Sequence, residues 1–244
     1  MIKNFVANGC SFTQTPIGGW TLPIINKFGP FNHENLACSA AGNDYISKSL
    51  IHGLLNLDYV PSETLVMVMW SGVSRVDLTV SDEFYDCLDY PHKHRAHGQN
   101  YVFSGGAVGT WSEDPFLKPI LKPIYKSQDN STFADNTLLD IYNAQTFLEN
   151  HGYHYYFMSY VDYWGDDLNP VADMDFNIPP HASKSLLSKI DFSKWIFADN
   201  DKKCLYEFAK SAKLLDADNF HPSEEGYKLF AERVILPRIQ EKFI

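Results

Sequence analysis

The chain predicts a doubly wound α/β fold built on a mostly parallel sheet. Three observations carry this. Short apolar runs at Ile2–Ala7, Leu65–Trp70 and Tyr155–Val161 have the length and continuity of strands covered on both faces. Stretches of helical period lie between them. Each run ends in a polar segment of the kind that carries function at the carboxyl edge of an open α/β sheet.

Taken in order, Ile2–Ala7 is β-prone and ends at Asn8-Gly9. Trp20–Phe28 is the first candidate helix, and Asn35-Leu36-Ala37-Cys38 a short second strand. Gly42-Asn43-Asp44 opens a helix whose apolar positions Ile46, Leu50, Leu54 and Leu57 recur at helical spacing. The central strand Leu65–Trp70 delivers Ser71-Gly72-Val73-Ser74-Arg75 at its end. Asn136–Asn150 is periodic through Leu138, Ile141, Tyr142, Gln145 and Leu148, with Gly152 as its stop. A last helix starts at Ser223, a suitable N-cap, with Glu224-Glu225 in the first turn; Pro237 is expected to end or kink it.

Two segments break the alternation, Val76 to Phe133 and Asp162 to Asp201, both rich in aromatic, Pro, Gly and polar residues. They read as insertions into one domain spanning 1–244, since no linker divides the chain. The composition, 45% hydrophobic and 15% aromatic, is that of an ordered globular protein. A formal charge of −10 argues against a nucleic-acid partner. Four scattered cysteines fit a reducing compartment with free thiols. The N-terminus lacks a basic region before an apolar stretch, and no apolar run approaches the ~20 residues of a membrane span, so the expectation is a cytoplasmic protein without a membrane partner.

The chemistry concentrates at the two ends. Asp218-Asn219-Phe220-His221 places a carboxylate and an imidazole three residues apart, where a tight turn brings the carboxylate onto Nδ1 and leaves Nε2 free for a nucleophile. Gly9-Cys10-Ser11-Phe12-Thr13 follows the first strand and supplies the hydroxyl. Cys10 is the more reactive side chain, but neighbours on an extended segment face opposite ways, so Cys10 is expected to pack behind the site.

The chain resembles the SGNH (GDSL) hydrolases in four blocks. Gly9-Cys10-Ser11 stands where that family has Gly-Asp-Ser, with Cys10 in place of the Asp. Asn35-Leu36-Ala37 with Gly42 matches the second block, and Asp218 and His221 match the fourth, Asp-x-x-His. In the third block the family's Gly-x-Asn-Asp is replaced by Gly72-Val73-Ser74-Arg75, and the Asn is missing.

The resemblance implies a flavodoxin-like three-layer α/β/α sandwich. It makes Ser11 the nucleophile and His221 the base oriented by Asp218. It also makes the N–H groups of Ser11 and Gly42 oxyanion donors, with Ser74 or Arg75 in place of the Asn. The implied activity is hydrolysis of an ester through an acyl-enzyme, on a small-molecule or carbohydrate substrate carrying an O-acetyl or other short acyl group, with no cofactor. Acyl transfer uses the same residues, and a non-catalytic binding or structural protein on the same scaffold is the alternative that the missing Asn favours.

Other groups have plainer readings. His92-Lys93-His94-Arg95-Ala96-His97 mixes imidazoles with cations and no carboxylate, and is expected to be a solvated loop, not a metal site. Trp111 and Trp164 are candidates for stacking on sugar rings, with burial as the alternative. Ser74 and Arg75 could equally be loop residues, the Arg pairing with Asp77.

Overall fold

A computed structural model of the chain describes residues 1–14, 19–29, 32–106, 110–162, 184–199 and 203–243. The main sheet is built from β1 (Asn4–Gly9), β2 (Asn32–Asn35), β3 (Thr64–Trp70) and β7 (His154–Ser159), in the order β2-β1-β3-β7 with every pairing parallel. Every residue of β1 and β3 is buried, which is why their sequences are continuous apolar runs instead of alternating ones. Helices cover the sheet. α1 (Thr21–Phe28) packs with the C-terminal helical segment, and α2 (Asn43–Asn56) packs with α5 (Asn130–His151). This is the expected three-layer α/β/α sandwich, with its strand order reversing at β1 and β3, the place where open α/β sheets form their sites.

The second strand lies earlier than expected. β2 is Asn-His-Glu-Asn, exposed along its length at the sheet edge, so no apolar pattern marks it. The backbone of Leu36 and Cys38 still follows β1, through Leu36 N–H to Ala7 O (2.8 Å) and Cys38 N–H to Gly9 O (3.1 Å). α5 likewise begins ahead of the expected Asn136. The Asp129 side chain accepts from the N–H of Thr132 and starts the helix there, and Gly152, left-handed at φ 77°, ends it.

The first insertion has structure of its own. β4 (Asp77–Val80), β5 (Lys93–Ala96) and β6 (Gln99–Phe103) form an antiparallel sheet in the order β4-β6-β5, joined by α3 (Asp82–Cys87) and followed by α4 (Lys118–Ser127). His97 and Gly98 turn the β5–β6 hairpin, both at positive φ (53° and 73°). The histidine-rich segment is therefore a strand and its turn, not a loop. No group of three or more His, Cys, Asp or Glu side chains among the described residues is arranged to hold a metal ion.

Beneath this sheet, Leu88, Tyr90, Val102, Trp111, Leu117 and Leu121 make a second apolar cluster. Trp111 belongs to it, only 5% exposed, stacked on Tyr125 at 5.3 Å with its indole N–H on Gly106 O. A sugar platform needs an open ring face, and this ring is packed on one side and sequestered. Trp164 lies outside the described residues.

Of the second insertion, α6 (Lys184–Leu187) and a short 3₁₀ turn are described, and Trp195 bridges in parallel to Phe157 of β7. The chain then forms α7 (Leu205–Ser211) and α8 (Glu224–Phe230), the latter capped by Ser223 Oγ accepting from Gly226 N–H at 3.2 Å. Pro237 does not end the final helix. A π turn at Ala231–Ile235 widens the ladder just ahead of it, and the helix resumes as α9 (Leu236–Ile239) around a residue that has no N–H to give. No described helix is long and apolar enough to cross a membrane.

Candidate active site

The parallel registers bring Gly9, Trp70 and Ser159 to one edge of the sheet, so the segments that follow them, Cys10–Thr13, Ser71–Arg75 and Tyr160, meet there. Two buried asparagines tie this edge to α2. Asn8 donates to Ile46 O and Ser49 Oγ, each at 2.9 Å. Asn43 holds both backbone groups of Ser71, accepting from its N–H at 2.8 Å and donating to its C=O at 3.1 Å. Neither asparagine stands out by period or spacing, and only the assembled edge reveals their work.

After β1 the chain turns sharply, with the N–H groups of Thr13 and Gln14 both on Cys10 O at 2.9 Å. Gly9 permits the turn: a Cβ there would stand 2.8 Å from Met69 O and 2.4 Å from Thr13 Oγ1. Cys10 and Phe12 are fully buried, and Ser11 between them is the one left partly accessible. The Ser11 N–H has no acceptor among the described residues.

Across from it, the loop before α8 is fastened by Asp216 N–H to His221 O and Ser223 N–H to Leu214 O, both 2.7 Å. Asn219 takes the left-handed conformation at φ 58°, which bends Asp218 back over its own turn. One oxygen of Asp218 accepts the N–H groups of Phe220 and His221 at 2.9 Å. The other meets His221 Nδ1 at 2.5 Å, and Nε2 of the same ring lies 2.9 Å from Ser11 Oγ. A carboxylate accepts only, so Nδ1 carries the proton and Nε2 is the lone pair facing the serine hydroxyl. Burial works to raise the Asp218 carboxyl, but the hydrogen bonds from the imidazole and the two N–H groups outweigh it and hold it below the usual aspartate range. Ser11, Asp218 and His221, read from opposite ends of the chain, thus stand in one hydrogen-bonded line.

The oxyanion side departs from expectation. The Gly42 N–H donates to Asp77 Oδ1 at 2.8 Å, and Tyr45 N–H donates to Asp77 Oδ2 at 2.8 Å. Asp77 thereby caps α2 from a neighbouring strand, doing for a glycine N-cap what its missing side chain cannot. In this arrangement the Gly42 N–H is not open to a substrate oxygen. Gly42 also has no room for a Cβ, which would lie 2.8 Å from Asp77 Oδ2 and 3.0 Å from Arg75 Cβ. Burial drives the Asp77 carboxyl up to about 7, against the pull of its two N–H donors and of Arg75 and with the help of Asp44.

Of the other two substitute donors, Arg75 is engaged elsewhere. Ser74 is buried, its carbonyl accepting from Tyr125 OH at 2.8 Å. Arg75 does not pair with Asp77; it donates to Ala41 O at 3.2 Å and to Tyr160 OH at 3.3 Å, with its guanidinium 5.3 Å from the centroid of the Tyr160 ring. Phe12 and Tyr160 carry no mark of a role at the site in the sequence. They stack at 4.2 Å and 16°, and Phe12 lies 4.7 Å from the His221 ring.

Fold and site together define an α/β sandwich protein with a Ser–His–Asp constellation at the carboxyl edge of its parallel sheet. No family model matches the chain, and no curated protein does. Solved structures similar to it include a member of the lipolytic protein G-D-S-L family from Veillonella parvula, 14% identical, with a TM-score of 0.48 over 98% of this chain and 96% of that one. A lipase from a goat rumen metagenome is 11% identical, with a TM-score of 0.45 over 99% and 97% of the two chains. A Bacillus subtilis protein is 10% identical at a TM-score of 0.49; all of this chain aligns, spanning 58% of that protein's length.

Proposed function

We propose that the protein is a serine hydrolase that cleaves an ester through an acyl-enzyme on Ser11. The observation that carries this reading is the line Asp218 Oδ2, His221 Nδ1, His221 Nε2, Ser11 Oγ, with its 2.5 and 2.9 Å contacts. His221 Nε2 takes the hydroxyl proton as Ser11 Oγ attacks the ester carbonyl, and Asp218 stabilises the imidazolium that forms. The carbonyl oxygen becomes an oxyanion facing the open N–H of Ser11. The imidazolium then protonates the departing alcohol, and water, activated by the same imidazole, releases the acid and regenerates Ser11.

The substrate is an alcohol bearing an O-acetyl or other short acyl group, with carbohydrate esters the first class to screen. Wild type should label with a fluorophosphonate and turn over a short-chain nitrophenyl ester, and Ser11→Ala should do neither. Equal rates for wild type and Ser11→Ala would end the hydrolase reading. The second reading, a non-catalytic binding or structural protein, is favoured by one observation: the Asp77 carboxyl occupies the Gly42 N–H, which would otherwise be a second oxyanion donor.

A further inference from the structure

Arg75 is a half-buried cation at the edge of the candidate site, and no carboxylate among the described residues lies within 4.0 Å of it. Its two hydrogen bonds go to neutral oxygens, Ala41 O on the entrance to α2 and the hydroxyl of Tyr160 beyond β7. Asp77 acts on this cation only at longer range, so its place depends on the contacts its immediate surroundings supply. A guanidinium suits this position because it is planar and weakly hydrated, and can stack on an aromatic ring while its fork reaches two acceptors.

Those contacts lead straight to the reacting groups. Tyr160 stacks on Phe12, the residue after Ser11, and Phe12 lies against the imidazole of His221. Phe220, the residue before His221, closes the box, edge-on to Phe12 at 5.2 Å and to Tyr160 at 5.9 Å. The box therefore has one ring beside the nucleophile and one beside the base. Arg75 joins it to α2, whose first turn Asp77 holds from the same segment of chain.

We infer that Arg75 is a positioning residue for the Ser11–His221 pair, acting through the Tyr160 and Phe12 rings to fix the plane of the imidazole. This takes the hydrolase reading as its basis and differs from direct oxyanion donation, because the guanidinium reaches Ala41 and Tyr160. Loss of the fork lets the aromatic stack slide, and a small displacement of the imidazole lengthens the proton path from Ser11 Oγ.

The test compares Arg75→Met, Arg75→Lys and Tyr160→Phe with wild type. Two readouts are used: the kinetics of a short nitrophenyl ester, and the NMR signals of the His221 ring, including the downfield Nδ1–H proton shared with Asp218. Arg75→Met should lower kcat roughly 10- to 100-fold with little change in KM and shift the His221 ring signals. Arg75→Lys should recover part of the rate, and Tyr160→Phe should move the same signals by less.

Unchanged His221 signals in Arg75→Met, or a loss of thermal stability with no change in them, would overturn the inference. Should Arg75→Met fail to fold, Tyr160→Phe decides by the same criterion, since it keeps the ring and removes only the hydroxyl. Inactive wild type would end the hydrolase reading alone, because the His221 spectrum reports positioning without turnover.

Discussion

At the scale of single residues, the site depends on which way three consecutive side chains face. Cys10 and Phe12 turn inward and Ser11 outward, so the hydroxyl, not the neighbouring thiol, meets the imidazole. The spacing of Asp218 and His221 and the position of Ser11 after the first strand were legible because a three-residue turn and a strand end are local features. The Asp77 bond to Gly42 and the Arg75 contacts with Ala41 and Tyr160 were not legible, since each joins residues 34 or more positions apart. The Asp218 carboxylate fixes the tautomer in which Nε2 faces Ser11. Asp218→Asn should therefore lower kcat by roughly 10³- to 10⁴-fold, with the fold intact by circular dichroism, and steady-state kinetics on a nitrophenyl ester measures it.

At the scale of elements, continuous burial explains which strands could be read. β1 and β3 are covered on both faces and spell out their apolar runs, whereas β2, a polar edge strand, carries no such mark. Helix α2 was legible from its period, but its N-cap is a glycine whose capping carboxylate arrives from β4. Helix α5 is capped locally, with Asp129 accepting from the N–H and the hydroxyl of Thr132 at 2.8 and 2.9 Å. Asp129→Ala should cost about 1 kcal/mol of stability, read as a lower urea midpoint with an unchanged m-value. An effect within experimental error would mean that the first turn of α5 is held by packing and not by its cap.

At the scale of the whole molecule, three carboxyl groups distant in sequence, Asp44, Asp77 and Asp140, line one cavity of about 200 Å³ together with Arg75. Burial, then the neighbouring Asp44 and Asp77, raise the Asp140 carboxyl to about 8, with Lys48 opposing. The folded state thus keeps a proton that the unfolded chain gives up near pH 4, so this group's contribution to stability is lost as pH rises from about 4 to about 8. Asp140→Asn should raise the melting temperature above wild type at pH 8 to 9, with the gain vanishing towards pH 4; a gain independent of pH would refute the assignment. The sequence alone determined the α/β class, the central strands and the two ends of the Ser11–His221–Asp218 line, because burial and tight turns act on neighbouring residues and leave periodic or spaced marks. Only the tertiary structure decided the secondary structure hidden in the first insertion, the burial of Trp111, the closing of the Gly42 N–H by Asp77 and the aromatic box that ties Arg75 to the site. These depend on which distant surfaces meet once the sheet is assembled, and packing between remote segments leaves no period in the chain.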